Sequence, residues 1–140
     1  MKVVINDCFG GFGLSDAAMH RYAELKGVTL YPEVDEKFGY TTFWTVPENE
    51  RTGILSSEQF HAASMEDRKA SNERHSSMRI CGRDIPRDDP DLVRVVEELE
   101  GAASGRFAEL KVVEIPDGIS WEIDDYDGSE SIEETHRSWR

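Results

Sequence analysis

Met1-Lys-Val-Val-Ile-Asn-Asp-Cys-Phe-Gly-Gly-Phe-Gly-Leu-Ser15 is the stretch from which the fold is best read. Val3, Val4 and Ile5 make a β-branched run suited to a buried strand, and Asn6-Asp7 stops it. Gly10, Gly11 and Gly13 then interleave with Phe9 and Phe12, and Ser15 is a good helix N-cap. Glycine at this density lets backbone approach a neighbour closely, and a helix N-terminus offers unpaired N–H groups to an anion. The loop is therefore a candidate ligand floor. It has neither the lysine and spacing of a P-loop nor the glycine spacing of the dinucleotide fingerprint. By itself it specifies a strand-to-helix turn.

Outward from this loop, Asp16 suits a first helical turn and Lys26-Gly27 closes the helix with favourable dipole and C-cap chemistry. Ala18, Tyr22 and Leu25, with Met19 beside them, give that helix one apolar face. A second strand is expected from Val28 to Tyr31, ended by Pro32, and a third over Tyr40–Val46, stopped by Pro47. Residues 48–79 are polar, which predicts a long loop or insertion with a short helix from Ser57 to about Lys69. Asp89-Pro90 is a cap followed by an N1 proline, and Leu92, Val95, Val96 and Leu99 make the stripe of a helix ended by Gly101. Ala108–Ile115 and Ile119–Ile123, joined by Pro116-Asp-Gly118, read as a hairpin. Asp127-Gly128 is read as a turn into a C-terminal helix, in which Ser131 and Glu134 have capping-box spacing and Ile132 and Trp139 face inward. The expected fold is α+β: a mixed or antiparallel sheet of about five strands with two or three helices.

A chain of 140 residues predicts a single domain over 1–140 with one modest core. The net charge of −13 argues against a general nucleic-acid binder, which needs a basic face. The charge is also uneven. Seven of the sixteen basic residues fall between Arg68 and Arg94, whereas 114–134 holds nine acidic residues and no Lys or Arg. Such segments either pair with each other or solvate separate faces; alternatively, the basic one lines a pocket for a phosphate or carboxylate. No stretch reads as a signal peptide or a membrane span, and two distant cysteines, Cys8 and Cys81, fit a reducing cytoplasm.

Recognisable catalytic or metal spacing is scarce. Asp125, Asp127, Gly128 and Glu134 fit four positions of an EF-hand loop, but Ile123 occupies the first and cannot ligate calcium. The cysteines and His20, His61, His75 and His136 lack zinc spacing. Cys8 with His136 would be a nucleophile pair without an evident orienting third group. No metal, cofactor or catalytic residue is expected. Arg106 beside Phe107 is a different matter, since guanidinium groups hold anions and aromatic rings stack on bases. The competing reading places Phe107 in the core and the arginines against the acidic segment.

Met1–Ser15, Arg21–Gly27, Asp88–Leu99, Leu110–Asp117 and the ending from Tyr126-Asp-Gly128 to His136-Arg-Ser-Trp139 together resemble a widespread group of small phage and prophage proteins. The group in turn is similar to the Thoeris anti-defence family, phage sponges that bind a cyclic ADP-ribose immune signal without cleaving it. That resemblance implies aromatic and arginine side chains around adenine and phosphates, in pockets built at oligomer interfaces. The matching elements here would be the loop Phe9, Gly10, Gly11, Phe12 and Leu14, then Phe107, and the expected C-terminal helix carrying His136 and Arg137. Arg87, Arg106 and Arg137 would hold phosphates, and Phe12 or Phe107 would stack on the base.

The expectation is thus a non-enzymatic phage accessory protein of the host cytoplasm. It would sequester a nucleotide-derived immune signal as a homo-oligomer and engage neither nucleic acid nor membrane. The alternative is an acidic protein–protein inhibitor of a host defence effector or nuclease, in which the −13 charge imitates nucleic acid.

Overall fold

The computed structural model describes residues 1–135. In chain order the elements are β1 (Lys2–Asn6), α1 (Asp16–Lys26), β2 (Tyr31–Val34), β3 (Thr41–Trp44), α2 (Ser57–Ala62), α3 (Met65–Ser77), β4 (Arg79–Ile80), α4 (Pro90–Leu99), β5 (Leu110–Glu114), β6 (Trp121–Tyr126) and β7 (Ser129–Glu134). The fold is α+β, with seven short antiparallel strands in three small sheets instead of one sheet of about five. Its contacts divide into two compact units, Met1–Lys26 with the chain from Gly82 onward, and Gly27–Cys81. No helix among the described residues is long and apolar enough to cross a membrane.

In the first unit β1 pairs with β5, Val4 opposite Val112, and α4 packs on both strands and on α1. Val3, Val4, Ala18, Leu92 and Val95 are fully buried there, with Met19, Tyr22 and Val96 nearly so. Each large apolar side chain withdrawn from water contributes about 1.5–3 kcal/mol, so this cluster dominates the unit's stability. The caps form as expected. Ser15 Oγ accepts from Ala18 N–H at 3.1 Å, and Asp89 accepts from the Asp91 and Leu92 N–H groups at 2.8 and 3.4 Å. α4 gives way at Leu99 to a 3-10 turn over Glu100–Ala103, so Gly101 lies inside that turn.

Two expectations for this unit fail. β5 takes β1 as its partner, and the strand after Pro116-Asp-Gly118 pairs with β7, so 108–123 is not a hairpin. From Ser129 to Glu134 the chain is a strand, not the start of a helix, and Trp139 of the expected helix lies outside the described residues. Asp127 (φ 52°) and Gly128 (φ 90°) form a two-residue hairpin turn with both central residues at positive φ, which suits the twist of an antiparallel pair.

In the second unit β2, β3 and β4 form a three-stranded sheet in that order. Pro32 lies inside β2, not at its end. Asp35 N–H bonds Tyr40 O at 2.8 Å, which fixes the hydrogen-bonded pairs at Glu33–Thr42 and Tyr31–Trp44. Pro32 therefore sits where its missing N–H would point out from an edge strand, a position that tolerates proline and blunts the edge. Within 48–79 the single short helix expected from Ser57 to about Lys69 is two helices, α2 starting at Ser57 and α3 running on to Ser77. α3 is polar almost all round and buries only Ser71, so capping sustains these helices more than a core does. Ser56 and Gln59 form a capping box, Ser64 accepts from Asp67 N–H, and Arg68 donates to the Phe60 and His61 carbonyls at the end of α2.

Candidate functional site

The glycine loop is organised by one fully buried polar side chain. Asn6 ends β1, and its Nδ2 donates to the Cys8 and Gly128 carbonyls at 2.8 and 2.6 Å. Its Oδ1 accepts from Glu109 N–H at 2.8 Å. One carboxamide therefore joins the loop after β1, the approach to β5 and the β6–β7 turn. The Asn6 N–H in turn donates to Glu130 Oε1 at 2.8 Å. A buried amide or carboxylate is tolerable only when so fully bonded.

The close approaches that the glycines permit are to the chain's own backbone. A Cβ at Gly10 would overlap the Phe107 carbonyl, and one at Gly128 would lie 2.6 Å from Gly11 N and 2.7 Å from Phe9 O. Gly105 N–H bonds Gly13 O at 2.9 Å, and Leu14 bridges to Ser104. The loop is thus laid against 104–107 and Gly128, and the need for glycine at Gly10 and Gly128 is explained by that packing without a ligand.

What the packing leaves outside is aromatic. Phe9, Phe107 and Tyr126 are 68%, 67% and 77% exposed, each on or within two residues of a segment that meets this loop. The exposed Arg106 guanidinium lies 5.2 Å from the Phe107 ring centroid. None of the ion pairs among the described residues involves Arg106. A cation beside an exposed ring is able to hold an anion and stack on a flat base together.

The other sequence candidates lie elsewhere. Phe12 is buried at 8% exposure and stacks under Arg87, whose guanidinium is 3.5 Å from the ring centroid. Arg87 also grips Glu130 through both carboxylate oxygens at 2.6 and 2.9 Å. Its charge is thereby neutralised internally, and a ligand phosphate would have to displace Glu130. Leu14 is half-buried. His136 and Arg137 lie outside the described residues. The Cys8 thiol is 3.1 Å from the Phe107 carbonyl, to which it donates.

Sequence reasoning missed Asn6, Glu130 and Tyr126. Tyr126 stands directly before Asp127-Gly128, so reading that dipeptide as a hairpin turn would have placed it at a hairpin tip. Asn6 and Glu130 carry no such signal, because their importance arises only once segments distant in sequence meet. Comparison with protein-family models, with curated proteins and with solved structures gave no match.

Proposed function

We propose that the chain is a non-catalytic binding protein that sequesters a nucleotide-derived immune signal of the cyclic ADP-ribose or cyclic oligonucleotide type. The observation that carries this reading is Arg106 beside exposed Phe107, with exposed Phe9 on the adjoining loop. Rings able to stack on a base and a guanidinium able to hold a phosphate are what such a ligand requires. The buried Asn6–Glu130–Arg87 network supplies the rigid base from which those side chains project. An open face covers little of a ligand, so a second copy is expected to complete the site.

A second reading rests on the β6–β7 hairpin. Its outward face carries Glu122, Asp124 and Glu133, with Glu122 directly opposite Glu133. Like charges in that relation repel, and a basic protein groove would relieve the repulsion. This favours the acidic inhibitor of a host effector as the alternative.

Incubation with cyclic ADP-ribose isomers and cyclic dinucleotides, then denaturation and analysis of the released material, separates the classes. Intact released ligand supports sequestration. Altered ligand would indicate an enzyme, and no retention would leave the protein-inhibitor reading.

A further inference from the structure

The second unit contains two buried donors without acceptors. Trp44 is 8% exposed, and among the described residues its Nε1–H has no hydrogen-bond partner; nor does the buried Nε–H of Arg79. The two residues are direct cross-strand partners of β3 and β4, so their side chains leave the same face of the sheet. Buried N–H groups are almost always paired, and two orphans on adjacent strands of one face are unusual.

The neighbouring groups favour an anion at this point. Arg51 lies over the Trp44 ring, 4.4 Å from its centroid, but Glu33 already neutralises it at 2.9 Å. None of the ion pairs among the described residues involves Arg79. His75 packs edge-on against Trp44 with centroids 5.2 Å apart. Burial, and then the charge of Arg79, hold the His75 imidazole below its ordinary pKa, which leaves Arg79 as the uncompensated cation beside Trp44. Arg79 as a whole residue is only half-buried, although its Nε–H is itself buried.

We propose that Trp44 and Arg79 form an oxyanion-binding site, in which the indole N–H and the Nε–H edge of the guanidinium together receive a carboxylate or phosphate group of a ligand. The guanidinium edge gives two parallel N–H donors in the geometry a carboxylate or phosphate accepts, and the indole adds a third. This site is independent of the glycine-loop face and stands whether or not that face binds a nucleotide.

Indole N–H resonances of the full chain, with that of Trp44 assigned through Trp44→Phe, are titrated with inorganic phosphate and with acetate at constant ionic strength. A saturable shift of the Trp44 resonance is expected, with Trp121 unmoved. Saturation by phosphate alone supports a phosphate ester as the ligand group, and saturation by acetate alone a carboxylate. Arg79→Gln should weaken binding roughly 10-fold or more, because a charge-assisted two-point contact is lost. Should Arg79→Gln fail to fold, Arg79→Lys keeps the charge without the fork and should still bind more weakly. No shift with either anion, an equal shift with chloride, or unchanged binding in the Arg79 variants would overturn the proposal.

Discussion

Arg87 and Glu130 meet in a two-point ion pair, 2.6 and 2.9 Å, with the Glu130 side chain only 4% exposed. The same carboxylate accepts the Asn6 N–H, and the guanidinium covers Phe12. A residue that looked like a phosphate holder in the sequence is thus the internal counter-charge of β7. Arg87→Ala would leave a buried carboxylate uncompensated, which typically costs about 3–5 kcal/mol. Urea denaturation should show a loss of that size, and a loss below about 1 kcal/mol would contradict the assignment. Arg87→Ala with Glu130→Leu should recover part of it, since removing both partners leaves no stranded charge.

Gly10 and Gly128 are held by packing against backbone. Gly128→Ala meets both a positive φ and the Gly11 and Phe9 backbone, and Gly10→Ala meets the Phe107 carbonyl. Each should destabilise by about 1–3 kcal/mol, the usual scale for enforced backbone strain. Gly11→Ala is a useful contrast, because its φ of 87° is unfavourable but nothing lies within 4 Å of the added carbon. Thermal melts in which Gly10→Ala is no worse than a surface substitution would show that the loop does not rest on Phe107.

Tyr22 and Asp89 link α1 to the cap of α4 through a 2.9 Å hydrogen bond. Burial, then the hydrogen bond to Asp89, push the Tyr22 hydroxyl up to about 12. A raised phenol contributes stability that is present below its unfolded pKa of about 10 and is lost as pH rises towards the folded value. Burial alone would raise the Asp89 carboxyl, but hydrogen bonds from Tyr22, the Asp91 N–H, Lys26 and the Leu92 N–H outweigh it and hold it low. That contribution is present above the ordinary carboxylate pKa and is lost as pH falls through the lowered one. Wild-type stability should therefore decline at both extremes. Tyr22→Phe should flatten part of the alkaline limb and Asp89→Asn part of the acid limb in urea midpoints measured across pH; unchanged limbs would count against the link.

Glu122 faces Glu133 directly across the β6–β7 hairpin. Glu122→Lys should turn repulsion into attraction and stabilise the chain by about 0.2–1 kcal/mol. The gain should shrink at high salt, since both groups are exposed. A salt-independent or destabilising effect would argue against direct opposition of the two side chains.

The parts of the fold legible in the sequence are those with local causes. Val3–Ile5, the Ser15 cap and Asp89-Pro90 each act within a few residues, and β1, α1 and α4 form where those signals stand. The C-terminal strand was hidden because Ser131 and Glu134 imitate a helix cap, and because Glu130 is buried only through Arg87 and Asn6. The helix expected from Ser57 to about Lys69 is present as α2 and the first part of α3, but the break between them and the run of α3 on to Ser77 were hidden, because a helix burying only Ser71 has no apolar stripe to read. Of the candidate site, Arg106, Phe107 and Phe9 remain exposed, whereas Arg87 was taken inward by Glu130, 43 residues away in the chain, and Phe12 was covered by Arg87. Long-range pairing of that kind leaves no local pattern.

The most direct measurement is calorimetric titration of the full chain with each cyclic ADP-ribose isomer and cyclic dinucleotide, repeated with Phe107→Ala and Arg106→Ala. Saturable binding of one ligand is predicted, weakened by roughly 10-fold or more in each variant because stacking and a charged contact are each worth on the order of 1–3 kcal/mol. Unfolding midpoints should be unchanged, since both side chains are exposed. No binding by the wild-type chain, or binding that neither substitution alters, would contradict the account.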